Sequence, residues 1–149
     1  MRAVVQRVRS ARVEVDGIVT GAIEHGLVAF VGAAEGDGAA DLEYTVNKIA
    51  GLRVFPDDAG KMSRSVSDAG GGLLVVSQFT VFGDVRRGLR PSFDGAMEPV
   101  TAERAYEEFV RLCRGRGLRV ETGRFRADMR VFVENDGPVT ILIDSRKLF

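Results

Sequence analysis

The chain reads as one α+β domain: a mostly antiparallel, barrel-like β-sheet with two helices packed on it. Three observations lead there. Short apolar segments with two-residue alternation recur along the chain, separated by Gly- and Asp-containing turns. Only two stretches, one beginning at Ala39 and one at Thr101, carry apolar residues at helical spacing. At 149 residues with 45% hydrophobic content, the chain suits one compact core and shows no repeat, low-complexity tract or linker.

From Arg2 to Val15, the residues Val4, Val8, Val13 and Val15 sit among charged neighbours. Their alternation changes phase along the way, which predicts β structure with a bend or irregularity. Asp16-Gly17 closes a turn, and Ile18 to Ile23 and Leu27 to Val31 form the next two strands, the second buried on both faces. In Ala39 to Ala50, Leu42, Val46 and Ile49 recur at i, i+4 and i+7, a helix with an acidic start at Asp37 or Asp41 and a stop at Gly51. Leu52 to Phe55 reads as a short strand and Pro56 to Gly60 as a turn, and the apolar strand Leu73 to Val76 runs into Ser77-Gln78-Phe79-Thr80. Thr101 is the expected N-cap of the second helix, whose face is Ala102, Ala105 or Tyr106, Phe109 and Cys113. Leu118 to Glu121 is a short strand. Met129, Val131 and Val133 alternate toward a turn at Asn135-Asp136-Gly137-Pro138, and Val139 to Ile143 forms the last strand.

Composition narrows the function. No apolar run approaches the roughly 20 residues that span a bilayer, and the first residues alternate charge with Val, so a cytoplasmic protein is expected. The single cysteine, Cys113, has no Cys or His neighbour at ligand spacing, which predicts a core thiol, no metal site and no cofactor. A net charge of +0 argues against a binder that works by global positive charge. Any RNA contact is then local, and Arg86, Arg87 and Arg90 in the loop GDVRRGLRPSF are the best candidates for phosphate.

Two motifs stand out. Ser77-Gln78-Phe79-Thr80 puts two hydroxyls and an amide at the end of an apolar strand; residue types alone fit an ordinary strand end as well as a cleft. In Asn135-Asp136-Gly137-Pro138-Val139-Thr140, Asp-Gly favours a hairpin turn, but the following Pro forfeits a ladder donor, which a plain hairpin seldom chooses. A tight turn without a ligand and a turn that aims carbonyl groups both fit.

Together, in this order, these motifs resemble the D-aminoacyl-tRNA deacylase family. The resemblance runs through MRAVVQRV, GLVAFVG, KIAGLRVF, GKMSRSV, LLVVSQFTVFGD, RPSF and DMRVFVENDGPVTILIDS, almost the whole chain. It implies a homodimer acting on aminoacyl-tRNA, with no membrane or DNA partner. Each site would combine the Ser77 to Thr80 segment of one protomer with the Gly-Pro turn of the other. Gly137 and Pro138, joined by a cis bond, would form the chiral selector, where an L side chain collides and a D side chain or glycine is accepted. Backbone N–H groups of Phe79 and Thr80 are candidates for the oxyanion hole, with Ser77 and Gln78 orienting the terminal adenosine. Thr80 lacks an adjacent base, the only histidine being His25, so assistance by the substrate's 2′-hydroxyl is favoured. Arg7 would brace the Gly-Pro carbonyls beside Asn135, Val139 and Thr140, and Met129 and Phe79 would line the adenine pocket. Two positions depart from the family pattern, Arg126 where Gly is usual and Ser63 where Asn is common. The segment Lys61 to Ser65 resembles a synthetase ATP loop by coincidence, in a chain too short for that domain. A non-catalytic RNA-binding module is the rival reading.

Overall fold

Strand β1 (Arg2–Val15) turns at Asp16-Gly17 into β2 (Ile18–Ile23), and β3 (Gly26–Gly32) returns along the first half of β1. Helix α1 (Ala39–Gly51) is followed by a small ribbon, β4 (Phe55–Pro56) with β5 (Met62–Arg64), and by β6 (Gly72–Ser77). A short 3-10 helix spans Phe79–Phe82, α2 spans Pro99–Gly115, and β7 (Val120–Thr122) and β8 (Arg130–Asp144) end the chain. The computed structural model describes residues 1–149.

The sheet is mostly antiparallel, as expected, but not strictly so. β1 pairs antiparallel with β2, β3 and β8, but β3 with β6 and β6 with β7 are parallel. The connections explain this, since α1 and α2 lie in the long crossovers that parallel neighbours require. Strand order is β2-β1-β3-β6-β7 with β8 on the far side of β1, and β2 comes back beside β7, so the sheet is a nearly closed barrel.

Alternation along the strands divides the interior in two. Ala3, Val5, Leu27, Ala29, Val31, Leu73 and Val75 face the helices and pack with Leu42, Val46, Ile49, Phe109 and Cys113. Val8, Ala11, Val13, Val28, Leu74 and Val76 point the other way, into the barrel. Leu27 to Val31 of β3 and Leu73 to Val76 of β6 are therefore apolar at every position. On β1 the buried face runs through Ala3 and Val5 rather than Val4, and the phase change falls where Arg9 is an extra residue between Val8 and Ser10 opposite β8.

Other boundaries also move. Glu98, not Thr101, caps α2: its carboxylate accepts from the amides of Val100 (2.7 Å) and Thr101 (3.2 Å), and Pro99 occupies the first turn. Only Phe55 of the expected Leu52 to Phe55 strand is in a ladder, and β5 was not foreseen. The largest correction concerns β8. Asn135 to Pro138 is no hairpin turn, because residues before and after it pair in the same direction with the same strand, β1.

Candidate functional site

At the C-terminal end of β6 the chain leaves the sheet and coils tightly. The amide of Gln78 still donates to the carbonyl of Val31 (2.8 Å), and the first bond of the 3-10 turn runs from Val81 to Gln78 (3.3 Å). The N–H groups of Phe79 and Thr80 precede that first bond, so the turn offers them no internal acceptor. Gly32 on β3 permits the arrangement, since a Cβ there would lie 2.7 Å from both the Gln78 carbonyl and Val81. The side-chain amide of Gln78 donates to Thr80 Oγ1.

This turn borders an open cleft of about 680 Å³, lined among others by Ser77, Gln78, Phe79, Phe93, Tyr106 and Met129. Phe79 is 58% exposed and meets Phe93 edge-on at 5.0 Å. Tyr106 forms a wall, its hydroxyl donating to the Val75 carbonyl at 2.9 Å while burial pushes its pKa up. Sequence reasoning found Ser77, Gln78, Phe79 and Met129 but missed Phe93, Met97 and Tyr106. Tyr106 carried a signal, lying on the apolar face of α2; Phe93 and Met97 sit in an irregular loop without periodicity.

The second motif forms a loop-out within β8. Opposite the two-residue step from Gln6 to Val8 on β1, β8 runs back five residues from Thr140 to Asn135, leaving Asp136 to Val139 out of register. The Asn135 side-chain amide clamps its two ends, donating to the carbonyls of Arg7 (2.9 Å) and Val139 (3.0 Å). Arg7 braces it from beneath, Nε donating to the Asp136 carbonyl (3.2 Å) and Nη1 to the Val54 carbonyl (2.6 Å). Gln6 Nε2 donates to Thr140 Oγ1 at 3.1 Å. The Gly137-Pro138 bond is cis and both residues are exposed. Gly137 has φ +129°, and a Cβ there would lie 2.8 Å from Val139 and 3.1 Å from the Arg7 guanidinium.

Within one chain these two motifs stay apart. Ser77 pairs with Val31, which pairs with Ala3, whereas the loop-out stands at Arg7 on the opposite flank of β1. Four residues along a strand are about 13 Å, before the width of the intervening strands is added. Thr80, Arg7 and Asn135 to Thr140 do not line the cleft.

Of the basic loop, Arg86 is engaged: its guanidinium holds Asp84 (2.6 Å), drawing that carboxyl far below its usual range. Arg87 and Arg90 are exposed and make no ion pair. Ser63 donates to Asp57 (2.8 Å) and so serves the β4–β5 ribbon rather than the cleft. His25 is exposed against Phe55, and Cys113 is buried, its thiol pushed up to about 12 by desolvation. No three His, Cys, Asp or Glu side chains are grouped to hold a metal, and no helix is long and apolar enough to cross a membrane.

An apolar cleft beside the turn after β6 and a braced, exposed loop-out in β8 are thus the two features that the motifs build. The D-Tyr-tRNA(Tyr) deacylase family model matches residues 4–144, and the chain belongs to that family, as its motifs indicated. A Sorangium cellulosum (strain So ce56) protein named D-aminoacyl-tRNA deacylase is 73% identical over 150 residues, with 100% of both chains covered. One of the same name from Thermotoga petrophila (strain ATCC BAA-488 / DSM 13995 / JCM 10881 / RKU-1) is 56% identical over 149 residues, again with 100% of each covered. A solved structure described as c-Myc DNA Unwinding Element Binding Protein matches with TM-score 0.91 and 42% identity, covering 97% of this chain and 98% of its own. A structure described as a probable eukaryotic D-amino acid tRNA deacylase, at TM-score 0.81 and 16% identity over 96% of this chain and 98% of its own, shares the fold.

Proposed function

We propose that this chain hydrolyses the ester of D-aminoacyl-tRNA, and of glycine misattached to alanine tRNA, releasing amino acid and tRNA. The observation that carries the reading is the presence of two backbone devices in one family member: the Phe79 and Thr80 amides, with no acceptor inside their turn, and the exposed Gly137-Pro138 loop-out. Such an ester is already activated, so a positioned water and a stabilised oxyanion suffice. Water adds to the ester carbonyl, the oxyanion takes hydrogen bonds from the Phe79 and Thr80 amides, and the intermediate collapses. The terminal ribose oxygen leaves with a proton, the neighbouring 2′-hydroxyl assisting.

Two protomers complete the site in this reading, the loop-out of one meeting the cleft of the other. The exposure of Phe79, Gly137 and Pro138 in a single chain supports it. The substrate's ammonium donates to the loop-out carbonyls, and Gly137 and Pro138 leave no room for an L side chain. Ser77 and Gln78 orient the terminal adenosine, whose base lies against Phe79 and Met129. Arg87 and Arg90 meet tRNA phosphate.

The test is release of amino acid from tRNA charged with D-tyrosine, L-tyrosine or glycine. Turnover of the D and glycyl esters with the L ester spared is expected. The name of the 42%-identical relative favours one rival, a nucleic-acid-binding module. Tight binding of nucleic acid without turnover of any ester would select it.

A further inference from the structure

We infer that Arg126 is a substrate-binding residue that holds the phosphodiester on the 5′ side of the terminal nucleotide in the cleft. Arg126 is exposed and lines the same cleft as Ser77, Gln78 and Phe79. It is one of three non-glycine residues with positive φ, at 59°, a conformation that costs an L residue free energy. The other two, Asp16 at a hairpin turn and Lys147 near the C-terminus, lie away from the cleft. The side chain of Arg126, the one arginine in the cleft lining, has no ion pair or hydrogen bond of its own. Glu98, the acidic residue of the cleft lining, has its carboxylate committed to Val100 and Thr101, and Asp128 makes no ion pair with Arg126.

The chemistry that fits is an unstacked nucleotide. A base packs on the apolar floor formed by Phe79, Phe93 and Met129, and its phosphate lies where a planar guanidinium offers two parallel donors. Arg126 thus adds binding to the polynucleotide chain, without touching the ester.

This inference rests on the cleft receiving the tRNA end, so its test has an arm independent of turnover. Arg126→Gly suits the positive φ and keeps the fold. On D-tyrosyl-tRNA its KM should rise about tenfold with kcat nearly unchanged, the mark of lost uniform binding. On the D-tyrosyl ester of adenosine, which has the same base and ester but no phosphodiester, both constants should stay at wild-type values. Arg126→Lys should recover part of the loss on tRNA. Equal losses on both substrates, or none on tRNA, would overturn the assignment. Binding of a short uncharged RNA with a free 3′-adenosine, followed by anisotropy, should weaken about tenfold in Arg126→Gly, with a salt slope shallower by roughly 0.7. That result is expected even if no ester is turned over, whereas unchanged RNA affinity removes Arg126 from the site and leaves deacylation standing.

Discussion

The turn after β6 and the loop-out of β8 use opposite halves of the peptide group. After β6 the chain coils, and its leading amides are left as donors without an internal partner. In β8 the chain bulges, and Arg7 and Asn135 take up selected carbonyls from behind while Gly137 and Pro138 stay on the surface. The first device depends on backbone conformation and little on which side chains it carries. The second depends on a glycine that cannot gain one atom and on two side chains acting as clamps. In the proposed reading the first device meets the ester carbonyl and the second the ammonium.

The contrast can be broken most sharply at Gly137. Gly137→Ala places a methyl against Val139 and the Arg7 guanidinium, so the loop-out must shift. Deacylation should fall by about 100-fold or more while circular dichroism stays native, because a misplacement of roughly 1 Å costs that much. Wild-type rates would show that the loop-out takes no part. Asn135→Ala should come next, losing two hydrogen bonds to half-buried carbonyls and about 1–2 kcal/mol of stability in urea titrations. Its activity should drop more than its stability explains, and rates that follow the folded fraction alone would reduce Asn135 to a structural clamp.

Glu98 probes the cleft wall. Hydrogen bonds from Val100 and Thr101 hold its carboxyl below the usual carboxylate range in the folded chain. Its cap is therefore fully present above the unfolded value and is lost as pH falls through the lower folded one. Glu98→Ala should lower Tm at pH 7, with the gap to wild type closing well below about pH 4; a gap that persists in acid would point to packing instead. The smallest effect belongs to Thr80→Ala, which keeps both leading amides and should stay within about threefold of wild type if the 2′-hydroxyl assists. Abolished turnover in a folded Thr80→Ala protein would make the hydroxyl essential.

What the sequence disclosed follows how local each signal is. The phase change between Val8 and Val13 announced the β1 bulge, and the Leu42, Val46, Ile49 spacing announced α1. The parallel pairs could have been suspected, since LVAFV and LLVV are apolar at every position, as strands covered on both faces are. Pro99 likewise marked the start of α2 more truly than Thr101. The single direction of β8 was not legible, because Asp-Gly-Pro has turn chemistry locally and only its pairing with β1 on both sides shows otherwise. Arg86 looked as free as Arg87, although Asp84 stood two residues ahead of it. Of the site, the sequence offered the two motifs but not the loop bearing Phe93 and Met97, which has no periodicity to read.

Because β1, β3 and β6 present one face to each interior cluster, they act as a party wall between two rooms. Neither cluster can come apart without exposing the back of the other, so the sheet and helices should open together in one cooperative unit. The segment from Gly83 to Glu98, held by few backbone bonds outside that wall, is free of this constraint. Its amides should exchange with solvent through local openings while those of Val28 and Leu74 wait for global unfolding, leaving the cleft able to widen at no cost to the barrel.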